Sequence, residues 1–253
     1  MKRSLWARLP GAFARRSARW FGRRMFTLRN RAPIITFTFD DFPRTALSIA
    51  GDALEKVGAR GTYFVSYGLM GQDTPTGEAF HHDDLSQLLA RGHELGCHTY
   101  HHYPAWETSV TNYMISVARN AESLRAPPFG AHLQTHSYPI SYPRPRSKRR
   151  LQRHFRACRG GGQIFNSGTV DLNYLSSVFL EQIHGDLRTV DRLIAENTAA
   201  CGWLIFSTHD VCENPTRFGC TPSFFSAVVN RAKASGAELQ VMTAALDAAG
   251  VRT

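Results

Sequence analysis

Ile34-Ile35-Thr36-Phe37-Thr38-Phe39-Asp40-Asp41 is the stretch that decides the fold. Six largely apolar, β-branched and aromatic residues read as a buried strand. Pro43 marks its end, so two carboxylates arrive together at one edge of a sheet. Neighbours on a regular strand point to opposite faces. Both acids therefore reach one site only if the strand stops there. A plain acidic loop pair is the alternative reading.

Behind this strand the chain alternates short apolar runs with amphipathic segments. Helices are predicted over 45–57, 82–91, 113–124, 183–197 and 222–235. Strands are predicted over 61–66, 94–97, 132–138 and 203–207, with a weak one over 172–178 and a last one over 239–243. Gly58 and Gly92 close the first two helices. Strand–helix alternation is the α/β pattern of a parallel sheet. No internal repeat and no dividing linker appears. The 253 residues suffice for one large α/β domain.

The third strand runs straight into Gly96-Cys97-His98-Thr99-Tyr100-His101-His102. Histidines four apart can hold one metal from one face of a helix. His101 beside His102 leaves open which of them ligates, and Thr99 is placed to hydrogen-bond within the site. Two imidazoles and a carboxylate make a three-ligand open centre of the kind that activates water. Cys97 reads as a small buried neighbour rather than a ligand. His209 follows the apolar run Trp203-Leu204-Ile205-Phe206-Ser207, at the end of the sheet where parallel folds place their chemistry.

Together these segments resemble the polysaccharide deacetylases, carbohydrate esterase family 4, which share the nodulation-protein-B homology domain. Thr38-Phe39-Asp40-Asp41 is similar to that family's first motif, and His98-Thr99-Tyr100-His101-His102 to its His-Ser/Thr-x-x-His motif. Gly61-Thr62-Tyr63-Phe64-Val65 resembles the strand between them, and Trp203–His209 the late strand with the catalytic histidine. The resemblance spans about residues 33–245. It implies a distorted (β/α) barrel and a divalent ion, zinc by preference, held by Asp41, His98 and His102. It implies Asp40 as general base and His209 as general acid in removing N-acetyl groups from a sugar or polysaccharide. The third motif is commonly Arg-x-Pro-Tyr/Phe-Gly, its arginine paired with the base. Ser137-Tyr138-Pro139-Ile140-Ser141 is the nearest match and has no arginine. The pKa of Asp40 is then expected to sit higher. Ile140 remains as a backbone oxyanion contact beside Pro139. Asp171 is an expected orienter of His209. Other readings are a deformylase or another C–N amide hydrolase, and a catalytically silent carbohydrate- or membrane-binding module.

Charge is unevenly placed. The net charge is +10, yet residues 1–31 hold ten basic side chains and no acid, so the rest is neutral. Trp6, Trp20, Phe21 and Phe26 stand among these arginines. This arm over 1–31 is expected either to be disordered or to lie on an anionic membrane surface. No nucleic-acid motif accompanies it, so no nucleic-acid partner is expected. A second acid-free basic run covers Arg144 to Arg159. Read as a helix over 146–157 it presents arginines to solvent, with Arg144, Arg149, Arg150 and Arg153 as a candidate anion site. No apolar stretch reaches the roughly 20 residues of a membrane span. With no secretory signal in view, the expected setting is cytoplasmic, peripheral at the inner membrane surface, with a lipid-linked sugar among the expected substrates. Five cysteines without a CxxC pair are expected to be reduced, although Cys212 and Cys220 are near enough in sequence to meet across a loop. Oligomeric state has no sequence signal.

Overall fold

A computed structural model describes residues 20–252. The arm over residues 1–19 lies outside the described residues. Strands β2 (Ile34–Asp40), β3 (Thr62–Val65), β6 (Glu94–Cys97), β7 (Thr135–Ser137), β8 (Ala157–Arg159), β10 (Val178–Phe179), β11 (Trp203–Thr208) and β12 (Glu238–Leu239) form one eight-stranded sheet. Its order is β10-β11-β2-β3-β6-β7-β8, every pairing is parallel, and β12 pairs with the first residues of β2. The order returns on itself as a distorted (β/α) barrel.

Two faces of β2 show why the sheet curls. Ile35, Phe37 and Phe39 belong to the outer core, where Phe37 and Phe39 meet Phe225 of helix α6 (Pro222–Ala234). Ile34, with Phe64, Trp203 and Ile205, belongs to an inner core. Trp203 donates its indole N–H to Thr36 Oγ1 at 2.9 Å. A strand buried on both sides reads as an unbroken apolar run. Inside, Gly96 leaves room for the Phe64 ring, which a Cβ there would meet at 2.4 Å.

The barrel closes through an isolated parallel bridge, Arg159 with Leu175, rather than through two paired strands. Between β8 and β10 the segment 172–177 supplies the seam. Cys158 N donates to the Leu172 carbonyl, Gly160 N to that of Leu175, and Gln163 N to that of Ser177. The strand expected over 172–178 is thus irregular until β10.

Outside the sheet lie α1 (Asp52–Lys56), entered through a π-helical turn at Ala46–Gly51, α2 (His82–Ala90), α3 (Val110–Arg125), α4 (Pro145–Leu151), α5 (Leu187–Ala199), α6 and α7 (Met242–Ala248). A short hairpin, β4 (Asp73–Thr74) and β5 (Gly77–Glu78), stands over the carboxyl ends of the strands. No helix among the described residues is long and apolar enough to cross a membrane.

Three expectations change. The last strand is only Glu238–Leu239, and the chain then turns into α7, whose Thr243 N is capped by the Glu94 carboxylate at 2.8 Å. The helix expected over 146–157 stops at Leu151, and its end becomes β8. The arm boundary at 31 also moves. β1 (Met25–Thr27) pairs antiparallel with β9 (Thr169–Asp171), and Arg24 donates to the carbonyls of Gln152, Phe155 and Arg156.

Candidate metal centre and active site

Asp40 and Asp41 part at the end of β2. Asp40 continues the inward set of alternate residues. Asp41 turns, with φ 60, and Phe42 follows with φ 54. Left-handed backbone is unfavourable for residues with a Cβ. Burial of Phe42, stacked on Phe80 at 5.2 Å, holds the turn in place. This strained turn lets neighbouring carboxylates serve one cavity.

The histidines converge by the same device. Residues 98–102 are loop rather than helix, which corrects the helical-face expectation. Thr99 has φ 62 and His102 φ 53, doubling the loop back on itself. Ser116 of α3 fixes it by accepting from Tyr100 N at 2.9 Å and His101 N at 3.1 Å. Thr99 Oγ1 accepts from Tyr103 N at 3.2 Å. His101 is spent here as well, its Nδ1 3.2 Å from Ser116 Oγ. His102, by contrast, faces the aspartate.

The result is a compact donor set. Asp41 Oδ1 lies 3.2 Å from His102 Nε2 and 3.5 Å from His98 Nε2. One ligand atom from each of the three lies within 4.8 Å of the others. His98 Nδ1 is 2.9 Å from the Ser137 carbonyl, which only accepts, so Nδ1 carries the proton and Nε2 keeps its lone pair. Burial pushes the His98 pKa down to about 4, keeping the ring neutral. Asp41 Oδ2 accepts from Thr76 Oγ1 at 3.3 Å, while the buried Oδ1 has no hydrogen-bond donor. A buried, unpartnered carboxylate oxygen between two imidazole nitrogens fits a divalent cation.

Asp40 has the cation that the third motif did not provide. Arg159, at the end of β8, is buried and its guanidinium pairs with Asp40 Oδ1. Arg159 also donates to Ser177 Oγ at 3.3 Å and lies over the Phe64 ring at 5.1 Å. Burial alone would raise the Asp40 carboxyl. The Arg159 cation, with His98 and His209, outweighs it and holds the pKa well below the usual carboxylate range. The expectation of a raised pKa is therefore reversed. Arg159 was hidden by its basic neighbours. Its one signal is the glycine run after it, where Gly160 passes so close to Tyr174 that a Cβ would sit 2.1 Å from the ring.

A cavity of ≈ 590 Å³ opens over these groups, lined by Asp40, Asp41, His98, His102, Tyr138, Ile140, Glu181, His209 and Arg217 among others. His209 Nδ1 is 3.1 Å from the Phe218 carbonyl, which leaves Nε2 available. Asp171 is not its orienter. Its carboxylate is taken by Lys148 Nζ at 2.7 Å and by the backbone N–H of Arg24 and Asn173. Ile140 lines the cavity with φ 60 and Pro139 is buried beneath it. Glu181, which no sequence signal singled out, adds a further acid to the cavity beside Asp40 and Asp41. Burial pushes its carboxyl up to about 7, opposed by His209. Arg149, Arg150 and Arg153 are exposed and Arg144 half-buried, and none lines the cavity.

Residues 28–154 match the family model described as polysaccharide deacetylase. The chain belongs to the polysaccharide deacetylase family. The matched span includes Asp40, Asp41, His98 and His102, and ends before Arg159, Glu181 and His209. No curated protein sequence matches the chain. Among solved structures, this deacetylase-family barrel is similar to the chitin deacetylase of the fungal pathogen Colletotrichum lindemuthianum, at TM-score 0.63 and 16% identity over 89% of this chain and 92% of that one. It is similar to a family 4 acetyl xylan esterase from Clostridium thermocellum solved with a cobalt ion, at TM-score 0.59 and 19% identity over 87% and 93%. It is also similar to the family 4 carbohydrate esterase PdaA of Bacillus subtilis, at TM-score 0.57 and 12% identity over 94% and 88%. At these identities the likeness is one of fold.

Proposed function

We propose that this protein is a metal-dependent hydrolase that removes N-acetyl groups from an N-acetylated sugar or polysaccharide. One observation carries the reading. The unpartnered Asp41 Oδ1 between two imidazole nitrogens lies in the same cavity as an arginine-clamped Asp40. Asp41, His98 and His102 would hold the ion, with zinc preferred for a set of two imidazoles and one carboxylate. When bound, such an ion supplies an acidified water and a counter-charge for the amide oxygen. Asp40, ionised at neutral pH, takes the proton of the attacking water. Arg159 keeps that carboxylate charged and pointed inward. Protonated His209, held by the Phe218 carbonyl, gives its Nε2 proton to the leaving amine. Ile140 lines the cavity, and its backbone N–H would be the donor to the oxyanion.

The test is metal analysis together with amine release from an N-acetylglucosamine oligomer. His98→Ala is expected to lose both metal and activity. Asp40→Asn is expected to keep the metal and lose activity by about 10²–10⁴-fold. Activity that survives a chelator unchanged, or an Asp40→Asn variant as active as the parent, would sink the proposal.

A further inference from the structure

Two features of the sequence have no role in the cavity: the aromatic residues at the end of the basic arm, and the arginine run on α4. The fold brings them together. Gly22 abuts α4, where a Cβ would lie 2.8 Å from the Pro145 carbonyl oxygen and 3.4 Å from the Arg149 side chain. Asn173 Nδ2 donates to the Gly22 carbonyl at 2.9 Å, and Arg24 caps the carbonyls after the helix. The segment from Trp20 to Arg24 is thus fastened along α4.

What it presents is amphiphilic. Trp20 is 58% exposed, Phe21 59% and Met25 51%, the first three members of a short set of exposed large apolar side chains. Arg23 lies over the Trp20 ring at 4.4 Å. Beside them Arg146, Arg149, Arg150 and Arg153 are exposed at i, i+3, i+4 and i+7 spacing, while Ser147, Lys148 and Leu151 point inward. None of these five arginines has an acidic partner among the described residues. The residues preceding Trp20 add six basic side chains and no acid.

We propose that this face is a docking surface for an anionic lipid bilayer. Arginines meet the headgroups, and Trp20, Phe21 and Met25 enter the boundary between headgroup and acyl chain. Charge alone would suit any polyanion. Clustered exposed apolar side chains beside the charge favour a surface that is anionic outside and apolar just beneath. The cavity rim adjoins this face, since exposed Ile140 and Tyr142 lead through Arg144 into α4. A docked molecule would therefore meet substrate at a membrane surface.

The experiment is sedimentation of the full chain with phosphatidylcholine vesicles, with and without phosphatidylglycerol. Binding is expected only with the anionic lipid, and weaker at high salt. Replacing Arg146, Arg149, Arg150 and Arg153 with Gln, with the preceding arm intact, is expected to weaken partition at least about tenfold. Trp20→Ser with Phe21→Ser is expected to weaken it while leaving duplex DNA binding unchanged. Thermal midpoints equal to the parent's show that the variants fold. Unaltered vesicle binding in both variants overturns the proposal. So does DNA binding that competes with vesicles and falls in parallel with theirs in the Trp20/Phe21 variant, which would make the face a nucleic-acid site. No readout here depends on deacetylation, so this inference and the proposed activity fail separately.

Discussion

At Arg159 burial and pairing oppose each other within one ion pair. Arg159→Met leaves Asp40 buried without its neighbouring cation, at a cost of about 3–5 kcal/mol. The native Asp40 carboxyl is depressed, so its contribution to stability is present above the unfolded value of about 4 and fades as pH falls through the lower folded value. Arg159→Met should therefore lose most stability near neutrality, by urea unfolding, and much less at acid pH. It should also move the acid limb of kcat/KM upward. An unmoved limb would remove Arg159 from the control of the base. Glu181 acts at the other limb. Pushed up to about 7 by burial, it gains charge as pH rises past neutrality, in the cavity it shares with His209. Glu181→Gln removes that titration and is expected to lower kcat about tenfold and alter the alkaline limb, leaving the acid limb in place. Superimposable pH profiles would separate the two residues. Asp40, Asp41, His98 and His102 were legible because they punctuate apolar strands. Arg159 and Glu181 were not, because one ends a basic run and the other sits in an ordinary Leu-Glu-Gln sequence.

Among the elements, α4 and β8 show where pattern reading failed. Charge density between Arg144 and Arg159 read as one solvated helix. The structure instead places Lys148 and Arg159 inside, one at Asp171 and the other at Asp40. Lys148 stands one turn before Leu151, on the face that continues to Phe155, so helical phase held the clue that composition obscured. Lys148→Met should strand the Asp171 carboxylate and lower stability by about 3–5 kcal/mol. Lys148→Met with Asp171→Asn should recover part of that loss in thermal unfolding. If the pair of substitutions recovers nothing, the ion pair is not what ties β9 to α4. Strands of two or three residues, such as β7, β9, β10 and β12, carry too few side chains to show a period of 2. Their pairing is set by the longer strands beside them.

For the whole molecule, ion binding and folding should be linked. A site formed only in the folded state adds about 2.7 kcal/mol when free metal is a hundredfold above its Kd. Zinc is thus expected to raise the thermal midpoint of the parent, and to leave that of Asp41→Asn unmoved. An equal rise in both would place the ion elsewhere. The barrel was legible as a class because strands buried on both sides appear as apolar runs separated by amphipathic helices. Its closure was not, because segment 172–177 joins the two ends through backbone bonds that leave no hydrophobic rhythm. That seam also bears on the site. Arg159 reaches both Asp40 on β2 and Ser177 in the seam, and Ser177 Oγ donates back to the Gly160 carbonyl at 2.7 Å. The candidate metal donors follow β2 and β6, whereas the counter-ion of Asp40 arrives from β8 and is steadied by the seam. A lesion confined to the seam would thus separate metal content from turnover, sparing the first and lowering the second.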